Sequence, residues 1–272
     1  MTIGADILGK LRARAQADIV LQGHAARSLA ALRREAARFF MQKEDVKLSH
    51  GSEDFNFGFR PYGRQYSVDP NRPDMNESFT YWADAPKAIP NADSDSVKPF
   101  INALSGYWGV MAEIVEDLFT ALAGYYAGEP HALDLERSSY LEINWYHESD
   151  RDLLQDRHED GHLITLANTD GPGLETELDG EMTAARCDPG SILLMPGSLL
   201  TAMTGGDIPP LYHQVRNHRL RRRLTVLFLV NPPLDRVVTP YASGDQTELD
   251  ISEIARTNGA MFGLPPAPRG VS

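Results

Sequence analysis

The chain has 272 residues, 42% of them hydrophobic and 24% charged, a composition that supports a buried core and excludes general disorder. A formal net charge of −12 opposes affinity for phosphate backbones or anionic lipid, so neither nucleic acid nor a membrane is expected as a partner. Cys187 is the only cysteine, which excludes an intrachain disulfide and a cysteine-rich metal cluster and fits a reducing cytoplasm.

The start, Met1 to Lys10, shows no basic segment followed by an apolar core, and the longest apolar run, Leu224 to Val230, is too short to span a bilayer. An unprocessed, cytoplasmic chain is expected. From Ala5 to Met41 apolar residues recur at three- and four-residue steps (Ile7, Leu8, Leu11, then Leu29, Leu32, Ala36, Phe39, Phe40), which predicts two amphipathic helices. His50 to Asn91 is rich in Gly, Pro, Asn and Asp and reads as a long ordered loop with short strands and many aromatic residues. A third helix is expected from about Ser96 to Tyr126, with Leu104, Trp108, Met111, Ile114, Val115, Leu118 and Leu122 on one side.

After His131 the texture changes to short β-rich runs: Tyr140 to Tyr146, His162 to Leu166, Leu174 to Leu178, Met182 to Arg186, Ile192 to Met195, Tyr212 to Val215 and Leu224 to Val230. Asp179-Gly180 is the pair favoured in tight hairpins, so the strands around it are expected to pair. The basic stretch Arg216, Arg219, Arg221 and Arg222 reads as a solvated hairpin. A last helix is expected from Leu249 to Phe262. With no repeat and no convincing linker, 1–272 reads as one domain: a helical part with the aromatic loop (1–130), a strand-rich barrel (131–237), and a tail with a helix (238–272).

Iron(II) that activates oxygen is typically held by two imidazoles and one carboxylate, leaving open positions for co-substrate and oxygen. His158 and Asp160 are two apart, so on an extended backbone their side chains leave one face, and His213 can supply the third ligand from another strand. An HxD alone is common and more often marks hydrogen-bonded surface residues. Two further polar pairs share the same spacing within apolar strands, Asn144 with Tyr146 and Arg223 with Thr225. Arg223 adjoins a run that is apolar on both faces, so its guanidinium needs either an internal Asp or Glu or a carboxylate ligand gripped together with Thr225.

In chain order the sequence offers Arg38-Phe39-Phe40 with Lys47, Asn144-Trp145-Tyr146, His158-Glu159-Asp160 leading into Leu163 to Leu166, Gly173-Leu174, Pro189-Gly190-Ser191, His213-Gln214-Val215, and Arg223-Leu224-Thr225 before Phe228 and Pro232. This succession, from about Ala36 to Asp235, resembles the isopenicillin N synthase-like branch of the 2-oxoglutarate/iron(II)-dependent dioxygenases. The resemblance implies a mainly β fold, a double-stranded β-helix (jelly roll, cupin-like) barrel with flanking N- and C-terminal helices. It implies Fe(II) held by His158, Asp160 and His213, with O2 and 2-oxoglutarate as co-substrates, the latter bound by Arg223, Thr225, Asn144 and Tyr146. The implied reaction oxidises a small-molecule substrate, most simply by hydroxylation, and releases succinate and CO2. Desaturation or ring formation would share the same start. Asp160 speaks against a halogenase, in which a small residue replaces this carboxylate.

Two features depart from the pattern. The family's early P-x-I-D strand and its Gly-Phe-Phe to Asn-His-Gly segment are missing, so the N-terminus looks shortened, which leaves open how one edge of the barrel and one side of the pocket are closed, a partner subunit of a homo-oligomer being one way. Met195 and Ser198 stand where Asn and Asp are common, at positions read as structural.

Rival readings stay open. His158-Glu159-Asp160-Gly161-His162 spells HExxH, a zinc-hydrolase signature that requires a helix, whereas Gly161, Ile164, Thr165 and Gly171-Pro172-Gly173 oppose one. His162 is therefore expected at a hairpin or rim. A 2-oxoglutarate-independent iron oxidase would use Arg223 and Thr225 for the substrate's own carboxylate, and a cupin-like binding module would hold metal without turnover. No G-x-S-x-G supports a serine hydrolase. For a substrate from specialised metabolism the candidates are Phe57, Arg60, Tyr62, Tyr66 and Trp82, each more often packing than pocket, with an anionic group conceivable if Arg60 faces inward. His24, His50, His131, His147 and His218 read as ordinary polar residues.

Overall fold

The computed structural model describes residues 2–69, 71–126, 128, 133–186, 188–242 and 248–257. His131, Cys187 and residues 258–262 of the expected last helix lie outside these. The chain opens with helix α1 (Ile3–Arg14), where the Thr2 hydroxyl caps the first turn by accepting from the Ala5 N–H and Ala15 ends it in the left-handed region. A short strand β1 (Ala17–Val20) follows, then α2 (Gly23–Phe40), α3 (Glu44–Leu48), β2 (Gly58–Arg60), β3 (Asn76–Trp82), a 3-10 turn (Pro86–Ala88) and the long α4 (Lys98–Tyr125). The aromatic loop thus contains two real strands. All seven residues of β3 are buried, the polar Asn76, Glu77, Ser78 and Thr80 included.

After the one-turn α5 (Leu135–Ser138) come β4 (Tyr140–His147), β5 (Leu153–His158), β6 (Ile164–Thr169), β7 (Leu174–Leu178), β8 (Glu181–Ala184), β9 (Ser191–Pro196), α6 (Ser198–Met203), β10 (His213–Arg216) and β11 (Arg222–Val230). A small hairpin of β12 (Val237–Val238) and β13 (Leu249–Asp250) leads into α7 (Ile251–Thr257), so Leu249 begins a strand rather than the expected helix. No helix among the described residues is long and apolar enough to cross a membrane.

Two antiparallel sheets form a jelly roll, a seven-stranded one in the order β1-β9-β6-β11-β4-β3-β2 and a four-stranded one in the order β5-β10-β7-β8. Helices α2 and α4 cover the outside of the larger sheet, where Phe39 packs on Phe79 and Phe100 and Trp108 meets Phe228 edge to face. Strand β11 shows the consequence. Leu224, Val226, Phe228 and Val230 belong to this helix-facing core, while Arg223, Thr225, Leu227 and Leu229 line the barrel cavity. Gly4 lets α1 lie tightly on α4, because a Cβ there would come 2.2 Å from the Asp117 carbonyl oxygen.

Strand β1 pairs with β9 from Ala17 opposite Leu194 to Val20 opposite Ser191, so the chain's own N-terminal part covers the β9 edge of the larger sheet.

Candidate active site

Strand β5 ends on His158 and β10 begins on His213, and the two residues are antiparallel partners with ring centroids 4.3 Å apart. Asp160 follows in the loop to β6, and the turn after β9 fixes it there. The Ser198 N–H donates to the Asp160 carbonyl at 2.9 Å, and a Cβ at Gly197 would stand 2.1 Å from the His162 carbonyl oxygen. Only glycine lets that turn seat so closely against the 160–162 backbone.

Asp160 Oδ1 lies 3.7 Å from His158 Nε2 and 3.9 Å from His213 Nε2, and one ligand atom from each of the three residues falls within 4.8 Å of the others. Backbone carbonyls set the imidazole tautomers: Nδ1–H of His158 donates to Asp156 O (2.7 Å) and that of His213 to Leu211 O (3.2 Å). The Nε2 lone pairs are thereby left towards Asp160. The Thr165 hydroxyl donates to Asp160 Oδ2, leaving Oδ1 as the available oxygen.

Burial, then the neighbouring His213, pushes the His158 imidazole below its usual range, so it stays neutral as a metal ligand must. Burial works to raise the Asp160 carboxyl, but His213, His158, His162 and the Thr165 hydroxyl outweigh it and hold it below its usual value. Two imidazoles and a carboxylate form a donor set suited to ferrous iron.

Residues 158–162 form no helix, so the HExxH spelling has no helical face on which to present two histidines. His162 is instead tied up elsewhere: its Nδ1 lies 3.0 Å from Asn231 Oδ1 and its Nε2 3.5 Å from the Tyr140 hydroxyl. It is also not the rim residue expected from sequence, being 1% exposed and part of the cavity wall.

At the other end of the same cavity Arg223 and Thr225 on β11 stand opposite Tyr146 and Asn144 on β4. Arg223 is buried, donates from Nε to Pro172 O (3.1 Å) and from an Nη to the Thr225 hydroxyl (2.7 Å), and lies over the Tyr146 ring. Burial holds the Tyr146 phenol well above its ordinary pKa, so it remains a donor, here to Gln155 Oε1 at 3.2 Å. The Asn144 amide accepts from Asn76 (2.8 Å) and donates to Glu142 (3.0 Å).

Of the five residues suggested for substrate, Tyr66 lines the cavity. Arg60 is buried with one Nη 3.6 Å from Glu142 Oε2, Trp82 donates to Asn56 O and packs on Tyr140, and Phe57 packs against the core. Tyr62 is 45% exposed and donates to the Met75 sulfur. Sequence reading missed Glu142 and Tyr140. Extending the Asn144–Tyr146 alternation back along β4 would have found both.

Residues 137–232 match the model of the 2OG-Fe(II) oxygenase superfamily. The matched stretch takes in β4 to β11, the strands that carry the candidate site. Gibberellin 3-beta-dioxygenase 2 of Arabidopsis thaliana is 31% identical over 106 residues, 37% of this chain and 30% of that protein, so the similarity spans under a third of the relative's length. Among solved structures, a full-length Neurospora crassa protein in complex with alpha-KG superposes with a TM-score of 0.76 at 16% identity, covering 93% of this chain and 90% of that one. A putative 2OG-Fe(II) oxygenase family protein from Caulobacter crescentus gives 0.74 at 17% identity, covering 93% and 92%. At such identities these structures share the oxygenase fold.

Proposed function

We propose that the protein is a non-haem Fe(II)/2-oxoglutarate-dependent dioxygenase of the isopenicillin N synthase-like branch, oxidising a small molecule, most simply by hydroxylation. The observation that carries this reading is the convergence of His158, Asp160 and His213 within 4.8 Å in a cavity also lined by Arg223 and Thr225. Bound iron with O2 and 2-oxoglutarate supplies the oxidising power, with succinate and CO2 as co-products.

The residues divide the rest of the work. His158 and His213 would hold the metal through Nε2 and Asp160 through Oδ1, each fixed by the bond its other polar atom makes. The Arg223 fork and the Thr225 hydroxyl would bind the far carboxylate of 2-oxoglutarate, with Tyr146 and Asn144 shaping the wall beside it. A small-molecule substrate is supported by the use of this fold in the Neurospora crassa protein, which was also solved in complex with alpha-KG and thymine. The chain would act as a single oxygenase domain in a reducing cytoplasm.

Succinate formation measured against added Fe(II) and 2-oxoglutarate tests the proposal. Turnover should require both and vanish in Asp160→Ala and His213→Ala. Activity retained in either variant would refute the ligand assignment.

A further inference from the structure

Gln155 holds a place that its spacing from the metal ligands hides. On β10 His213 and Val215 are two apart, but their partners on β5, His158 and Gln155, are three apart, so β5 carries a bulge there. The extra residue lets Gln155 face the same cavity as His158, and both line it.

Its amide joins two parts of that cavity. Oε1 accepts from the Tyr146 hydroxyl at 3.2 Å, and Nε2 donates to the Ser67 hydroxyl at 2.8 Å. On one side, Tyr146 lies under the Arg223 guanidinium and its oxygen accepts a hydrogen bond from it. On the other, the Ser67 hydroxyl donates to Asp74 Oδ2 at 2.9 Å. Every bond of this chain points the same way, from the Arg223 cation through Tyr146, Gln155 and Ser67 to the Asp74 carboxylate. Successive hydrogen bonds aligned in this manner polarise and strengthen one another.

The far end of the chain is loop, not strand. Ser67 belongs with Gln65 and Tyr66 to the segment between β2 and β3 that supplies part of the cavity wall. Gln65 pins this segment to the larger sheet, donating to Glu142 Oε1 at 2.8 Å and accepting from Asn76 at 3.3 Å, and Gln155 ties it to the smaller one. A carboxylate seated on Arg223 would hold the guanidinium and the Tyr146 ring still, so the remaining bonds of the chain form at lower entropic cost. Coupling of this kind is reciprocal: a wall segment held by the chain strengthens the grip at Arg223 by the same factor.

We propose that Gln155 is a positioning residue that couples the wall segment 65–67 to the Arg223 subsite, so that a bound carboxylate co-substrate and an ordered cavity wall reinforce each other. The proposal rests on the dioxygenase reading for the identity of that co-substrate, 2-oxoglutarate.

The test uses the full chain with Zn(II) in place of iron and measures two quantities in the same samples: the dissociation constant of 2-oxoglutarate, and hydrogen–deuterium exchange of the amides of residues 64–68 with and without saturating 2-oxoglutarate. In the wild type 2-oxoglutarate should slow that exchange about fivefold. In Gln155→Leu, and in Ser67→Ala, which cuts the chain from the loop side, the slowing should be lost and 2-oxoglutarate should bind about fivefold more weakly. A merely structural role would raise exchange equally with and without 2-oxoglutarate, leaving their ratio unchanged. That ratio unchanged in either variant, or no slowing in wild-type protein that binds 2-oxoglutarate, would overturn the proposal. Ser67→Ala decides alone if Gln155→Leu does not fold. Wild-type protein that fails to bind 2-oxoglutarate would instead defeat the dioxygenase reading, and this proposal with it.

Discussion

Arg223 has few ways to be stable where it sits. A guanidinium that is 2% exposed on a strand whose other face is apolar keeps its place by donating to Pro172 O and Thr225 and by lying over Tyr146. A carboxylate ligand would add a charge-assisted pair to these. Arg223→Ala should therefore weaken 2-oxoglutarate binding by about 10- to 100-fold while iron affinity changes little, as read by titrating each separately. An unchanged 2-oxoglutarate affinity would favour the oxidase that needs no 2-oxoglutarate.

Asp74 poses the opposite problem at the same scale. Burial, opposed by the Ser67 hydroxyl and His158, raises its carboxyl from 3.8 to about 6. A group whose folded pKa is raised contributes stability below its unfolded pKa and loses it as pH rises through the folded value, here between about 4 and 6. At neutral pH its burial is thus a net cost. Asp74→Asn should stabilise the protein by ~1–2 kcal/mol at pH 7.5, with the gap shrinking as pH is lowered towards 4.5. Denaturant melts at the two pH values check this, and a constant gap would show that the carboxyl does not titrate there.

At the scale of elements, the candidate metal loop depends on a neighbour that carries no chemistry. The turn between β9 and α6 touches the 160–162 backbone through Gly197, so Gly197→Ala must push either the turn or the loop aside. A loss of ~1–3 kcal/mol in stability is expected together with weaker metal binding. A variant that melts earlier yet binds metal normally would show that the loop holds its own shape. The ligand pattern itself could be read from sequence because HxD, the second histidine and RxT each sit in or beside a recognisable strand. Strand β5 could not, since Leu153–His158 lies in the smaller sheet with only Leu154 fully buried and shows no apolar run. Strand β1 escaped notice as well, being four residues between two helices and a strand only because β9 offers it an edge.

For the whole molecule, the helical pattern before residue 130 and the strand texture after it were enough to predict helices packed outside one β-barrel. That much follows from periodicity, which reports which face of an element is buried. What periodicity cannot report is which side chains from distant elements meet inside. Arg60 and Glu142 come together across β2, β3 and β4, and His162 is fixed by Asn231, 69 residues away, so the polar wall of the cavity becomes visible only once the sheets are assembled. The same assembly brings His158 on β5 beside His213 on β10 and closes the candidate metal-binding set with Asp160.

Anaerobic addition of Fe(II) and then 2-oxoglutarate, followed by visible absorption, tests this convergence most directly. A charge-transfer band should appear only when both are present, saturate at one 2-oxoglutarate per chain, and be absent in His213→Ala. No band in the wild-type protein, or the same band in His213→Ala, would contradict it.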